Sequence, residues 1–388
     1  MPEKNALPTQ SPLGDLSTEQ FLKNYWQQKP LVIRQGMPNF TSPITADELA
    51  GLACEDDVHS RIVIEKGGDH PWQLINGPMQ QDSFSRLPET HWTLLVNDVE
   101  KHLPDLAYLV DAFRFIPEWR VDDLMISYAP QGGSVGPHLD QYDVFILQAQ
   151  GHRRWQINTQ PVTNDNQVEG TQLRIQKDFV AEQEWLLAPG DIIYIPPGVT
   201  HYGVATDDCL SFSIGFRAPT HSEMLADFID FISRDLTEDK TYQDNNLALQ
   251  AHPNEITEDA IANLRKIFQD YLNPEHPELP RWFGRFVSDN KTELDYENEE
   301  HYKDYSQLKQ NHTVLMRNPA SRFAFYRQEE RALLFIDGEE TEVRNIFAEN
   351  FCRQREFNLN VMELNPVEQQ LVMTLFNAGQ LLSASNVV

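Results

Sequence analysis

One stretch limits the fold of this chain more than any other. Between residues 114 and 218, short runs rich in β-branched and aromatic residues follow one another, separated by Gly and Pro turns. The runs fall at 124–128, 143–148, 153–158, 184–187, 191–195 and 210–216. Short strands at this spacing predict an all-β sandwich or barrel. The flanks differ. Residues 18–26 carry apolar side chains at helical spacing behind a capping residue, 29–34 read as a short strand, and 92–110 read mainly as helix, interrupted by Pro104. After Pro219 the pattern turns helical at 222–236 and 257–272. An acidic stretch at 289–304 reads as a linker. Small strands at 312–316, 324–326 and 332–336, with helices at 343–351 and 366–376, then make an α+β tail.

The 388 residues provide enough chain for two or three domains. With 40% hydrophobic and 23% charged residues, the composition is that of a globular protein rather than a disordered chain or a coiled-coil rod. The charge is unusual: 59 Asp and Glu against 31 Lys and Arg give a net charge of −28. Such a surface repels phosphate backbones and steers basic partners towards it. Cys54, Cys209 and Cys352 are far apart and odd in number, which argues against a disulfide framework or a zinc knuckle. The start, MPEKNALPTQ, has no apolar core of a signal peptide, and no run of about 18 apolar residues spans a membrane. The expectation is a cytoplasmic protein in a reducing compartment.

The chemistry concentrates in Gly136-Pro-His138-Leu-Asp140 and, much later, in Pro189-Gly-Asp-Ile-Ile-Tyr-Ile-Pro-Pro-Gly-Val-Thr-His201. On a strand, His138 and Asp140 point to one side. The Pro-Gly turns before His201 can bring a distal strand back to face them. Two His and one carboxylate can occupy one face of an Fe(II) octahedron and leave positions open for substrates. Further along, in Gly151-His-Arg-Arg-Trp155, alternation puts Arg153 on the face of Trp155 and Ile157, and His152 and Arg154 on the other. A guanidinium turned into a barrel needs an anion, and arginine holds a carboxylate through two parallel hydrogen bonds. Ser127, on a neighbouring strand, can donate its hydroxyl to the same carboxylate.

These segments, together with Asp122-Asp-Leu-Met-Ile-Ser127, resemble the JmjC-type ribosomal oxygenases, and most of all the bacterial ribosomal protein arginine hydroxylases. The resemblance runs the length of the chain and is most specific in the catalytic third. It implies a mainly β fold with α additions: a double-stranded β-helix (cupin or JmjC jelly roll), a helical dimerisation region and a winged-helix-like tail. The domains would be 1–218, with 1–113 flanking a β-helix core at 114–218, then 219–300 and 301–388. By position, the resemblance implies His138, Asp140 and His201 as metal ligands and Ser127 and Arg153 as the 2-oxoglutarate clamp. Fe(II), 2-oxoglutarate and dioxygen would be required. The substrate would be an arginine of a basic large-subunit (50S) ribosomal protein, and the protein a homodimer. His152 departs from the family pattern, where a basic residue is common.

Three other readings stay open at this level. A cupin of another chemistry usually presents a further His where this chain has Asp140, and often a downstream Glu; the only extra acid in 141–148 is Asp143, on the opposite side of a regular strand. A JmjC-type hydroxylase or demethylase acting on another residue or protein would use the same core. A non-catalytic binding protein would keep the fold without iron, although such relatives usually lose a ligand. A winged-helix tail invites a DNA-binding reading, but seven acids against two lysines in 289–304 disfavour it. His59, His91 and His252 show no ligand spacing.

Overall fold

The structure is a computed structural model that describes residues 11–66, 72–161, 166–169, 173–237, 239–290, 298 and 300–384. Among the described residues, eleven strands build its first part: β1 (Leu31–Ile33), β2 (Ser60–Glu65), β3 (Trp72–Asn76), β4 (Trp92–Val96), β5 (Val121–Ala129), β6 (Asp143–Gln150), β7 (Arg153–Asn158), β8 (Gln183–Leu187), β9 (Ile192–Ile195), β10 (Thr200–Ala205) and β11 (Cys209–Phe216). An eight-stranded sheet runs in the order β1-β9-β6-β11-β5-β4-β2-β3, and a three-stranded sheet, β10-β7-β8, faces it. All neighbours pair antiparallel. This is the double-stranded β-helix expected of the sequence, widened at one edge by β4, β2 and β3.

Residues 92–96 are a correction. The sequence reads as helix there, but Trp92–Val96 is strand β4, paired to both β2 and β5. Pairing on both sides outweighs the local apolar spacing. Helix starts only at Val99–His102, and Pro104 opens a separate 3-10 turn before the helix Ala107–Asp111. Strands β2, β3 and β10 have no counterpart in the sequence reading.

Strand β6 is buried on both faces, as the central strand of a covered sheet must be. Phe145 and Leu147 enter the outer core with the N-terminal helices, while Val144 and Ile146 enter the space between the sheets with Trp155 and Ile157. The outer core centres on aromatic rings: Phe145 lies 4.7 Å from Phe113 and 4.9 Å from Tyr194, which lies 5.0 Å from Phe21. Phe21 projects from the helix Thr18–Asn24, which Ser17 and Gln20 cap reciprocally.

Beyond the sandwich come the helices His221–Ser233, Glu258–Tyr271 and Leu279–Ser288. The tail has its own core and two three-stranded sheets. It is tied to the first part by ion pairs: Arg355 donates twice to Asp111, at 2.8 and 2.7 Å, and Arg317 lies 2.9 Å from Glu118. Of the acidic stretch, 291–297 and 299 lie outside the described residues. All three cysteines are free. Among the described residues no helix is long and apolar enough to cross a membrane.

Phe145 is fully buried at the centre of the aromatic cluster. Phe145→Ala is therefore expected to cost about 3–5 kcal/mol, read as a fall in the urea midpoint.

Candidate active site

The turn Pro196-Pro197-Gly198, with Gly198 at φ +76°, leads directly into β10 and His201. Opposite, Gly136 (φ +79°) and Pro137 deliver His138. Two backbone hydrogen bonds join the segments: the His138 N–H donates to the His201 carbonyl at 3.0 Å, and the His201 N–H donates back at 2.8 Å. The Gly198 N–H donates to the Asp140 carbonyl at 2.7 Å. This corrects the sequence reading, which placed His138 and Asp140 on a strand. They form one isolated bridge and a loop, because the left-handed glycine and the proline break the pleat. The side chains converge through the bridge to β10, not through strand alternation.

Each imidazole has its orientation set from behind. Nδ1 of His138 is 3.0 Å from the Gly136 carbonyl, and Nδ1 of His201 is 3.0 Å from the Val199 carbonyl. A carbonyl only accepts, so Nδ1 is the donor in each ring, and in the neutral imidazole Nε2 is the nitrogen left to bind a metal. The two Nε2 atoms lie 3.8 and 3.6 Å from Asp140 Oδ2. One donor atom from each of the three residues falls within 4.8 Å of the others. Cis ligands on a metal with bonds of about 2.1 Å lie about 3 Å apart, so a small inward adjustment completes one face of an octahedron. Burial, with His138 beside it, pushes the His201 pKa down, which favours the neutral ring that a metal needs.

Arg153, on β7, is 3% exposed and its Nε has no partner. Its Nη atoms lie 3.4 Å from Ser127 Oγ and 3.4 Å from the Gly203 carbonyl. Its guanidinium sits over Trp155, 5.3 Å from the ring centre. Among the described residues no carboxylate pairs with it, and burial lowers its pKa. Gly203 makes the room, since an added Cβ would meet Arg153 Nε at 2.9 Å. A buried cation in such a cradle fits the carboxylate of a ligand. His152 and Arg154 face away; His152 Nδ1 is 2.8 Å from Asp207. Asp143 also points away and accepts hydrogen bonds from Tyr194, Gln27 and Arg120, so it is unavailable as a ligand.

A cavity of about 400 Å³ contains His138, Asp140, His201, Arg153 and Ser127 together. It also contains Asp123, Tyr142 and Asn97, which the sequence reading did not single out. The signal for Asp123 was present. On β5 it shares the face of Met125 and Ser127 by period two, and all three line the cavity. Burial, with Asp98 and Asp122 nearby, pushes the Asp123 carboxyl up to about 6.

A double-stranded β-helix enclosing two histidines and a carboxylate beside a buried arginine fits the cupin-fold metal oxygenases. A JmjC domain model matches residues 108–224, and a ROXA-like winged-helix model matches 273–381. The chain is 40% identical over 282 residues to the ribosomal protein uL16 3-hydroxylase of Escherichia coli, covering 72% of this chain and 74% of that protein. It is 42% identical over 222 residues to a probable ribosomal oxygenase of Haemophilus influenzae, covering 56% and 53%. The structure of E. coli YcfD, a ribosomal oxygenase, in complex with cobalt and 2-oxoglutarate superposes with a TM-score of 0.81, at 34% identity over 95% of this chain and 98% of that one. The chain belongs to the JmjC-type bacterial ribosomal oxygenases.

The donor set predicts that Co(II) added to metal-free protein produces visible d–d absorption and raises Tm. His201→Ala is expected to abolish both effects, because two remaining ligands do not fill a facial set.

Proposed function

We propose that this protein is an Fe(II)- and 2-oxoglutarate-dependent hydroxylase of an arginine side chain on the large-subunit ribosomal protein uL16. The observation that carries the reading is one cavity holding the His138–Asp140–His201 set, the buried guanidinium of Arg153, which no carboxylate pairs with among the described residues, and the carboxylate of Asp123. The family membership, the substrate named for the E. coli relative and the cobalt and 2-oxoglutarate bound to YcfD support the metal, the co-substrate and the ribosomal target. The acidic balance of the chain suits a basic partner.

In this reading His138, Asp140 and His201 hold the iron through Nε2, carboxylate oxygen and Nε2. Arg153, with the Ser127 hydroxyl, holds the far carboxylate of 2-oxoglutarate and so orients it before reaction. Bound there with dioxygen, the iron and 2-oxoglutarate supply the oxidation of an unactivated C–H to C–OH, with release of succinate and carbon dioxide. The buried walls, including Trp155, Val144 and Ile146, keep water from the reacting atoms. Asp123, on β5, pairs with the guanidinium of the target arginine, and Tyr142 lines the same cavity.

The test joins protein, Fe(II), 2-oxoglutarate and air with unmodified large-subunit ribosomal proteins and reads succinate and intact masses together. A gain of one oxygen on uL16, mapped to an arginine and absent with His138→Ala, is the expected result. Succinate without a mass gain would reject the ribosomal target, and formaldehyde release would mark a demethylase instead. Because Asp123 binds a cation only when ionised, kcat/KM is expected to fall as pH drops through about 6, and Asp123→Asn to lose most turnover and that pH limb.

We also propose that the protein is a homodimer paired through its central helices. Leu225 and Ile229 on His221–Ser233, and Leu264 and Phe268 on Glu258–Tyr271, are 59, 47, 39 and 54% exposed, an apolar face that a second copy would cover. Light scattering is expected to give twice the chain mass, falling to one chain mass in Leu225→Asp/Ile229→Asp.

A further inference from the structure

The carboxylate at the cavity wall is gripped on one oxygen only. Asp123 Oδ2 accepts from Asn97 Nδ2 at 3.0 Å and, at a longer 3.4 Å, from the Asp98 N–H. Among the described residues no hydrogen bond reaches Oδ1, which points towards Gly215 on β11.

Both sides of this arrangement depart from ordinary local structure. Asn97 and Asp98 leave β4 in a tight corner: the Asn97 N–H donates to the His59 carbonyl at 2.9 Å, and Asp98 sits at φ 57°, ψ 28°. Aspartate is one of the few residues with a Cβ that tolerate this left-handed region, which lets the chain turn sharply here. The corner aims the Asp98 N–H and the Asn97 amide at one oxygen. On the other side the pairing of β11 with β5 slips between Ile214 and Phe216, and Gly215 stands at the slip. Its φ is not positive, so the backbone does not demand glycine. An added Cβ would lie 3.2 Å from Asp123 Oδ1 and would cover the face that the missing side chain leaves open. A glycine within a strand at a bulge often marks such a close approach.

The donors are neutral. A lysine or arginine in place of Asn97 would cancel the charge of Asp123. An amide and a backbone N–H orient the carboxylate and leave its charge for a ligand. We infer that Asn97, with the Asp98 N–H, is a positioning residue that turns Asp123 Oδ1 to a substrate guanidinium. Gly215 keeps that approach open, so the three together set selectivity for a cationic side chain. The inference rests on the arginine reading of the cavity.

The test compares uL16 peptides carrying arginine or its neutral isostere citrulline at the modified position, with kcat and KM read by mass. The wild-type protein favours arginine. Asn97→Leu, similar in size but without the donor, is expected to raise KM for the arginine peptide about tenfold, the scale of one hydrogen bond to a charged group. Citrulline turnover and peptide-independent succinate formation should be unchanged, so selectivity falls, while Tm drops by a few degrees because Asp123 loses a buried partner. Gly215→Ala is expected to lower the arginine preference while leaving Asn97 in place. It gives an independent measurement should Asn97→Leu fail to fold. An unchanged preference in the folded variants would overturn the inference while leaving the arginine reading intact. Equal loss on both peptides would also overturn it, as the mark of a merely structural role. A wild-type protein that does not distinguish the peptides would overturn both.

Discussion

Two backbone hydrogen bonds between His138 and His201 organise this structure. They close the open end of the sandwich by fastening the loop after Gly136 to the first residues of β10. Everything chemical is arranged around that closure. It sets the imidazoles 4.2 Å apart, centre to centre, and the adjacent Gly198–Asp140 bond draws the carboxylate to them. Rigid strands on one side and a tethered loop on the other give the side chains few ways to move. A facial metal site needs that restriction, because its ligands must converge without a fourth protein donor to steady them.

The two ends of the cavity solve opposite electrostatic problems. At Arg153 a cation is buried over Trp155 without a carboxylate partner among the described residues. At Asp123 the hydrogen-bond donors among the described residues are neutral, and burial raises its pKa. Each group is left short of a counter-charge, which is costly in an empty site and useful in an occupied one. A dicarboxylate at one end and a guanidinium at the other would each supply what the protein omits. The two-sided burial of β6 separates this polar interior from the aromatic core, so the charges are built into the sandwich without exposing the outer packing to water.

How much of this could be read beforehand depended on whether the signal was local. The strand runs and the Pro-Gly turns are local, and strands β5 to β9 and β11 lie where the sequence places them to within a few residues. The burial of Arg153 and the outward turn of His152 follow from period-two alternation within one strand. Trp92–Val96 was misread because its neighbours on both sides are strands remote in sequence, which no local pattern announces. The same holds for β10, a short strand that exists because β7 pairs with it.

The sequence by itself determined the class of fold and the residues worth watching. Turn chemistry, strand propensity and the order of the His, Asp, Arg and His motifs are written along the chain and survive without coordinates. Only the tertiary structure decided how those residues meet. It replaced a supposed strand at His138 and Asp140 with a bridge and a loop, and it brought Asp123, Asn97 and Gly215 to one wall from three separate strand ends. The physical reason is distance along the chain. Asn97 and Gly215 are joined to Asp123 through sheet pairing and a register slip, and such contacts depend on the packing of the whole sheet rather than on any short run of residues.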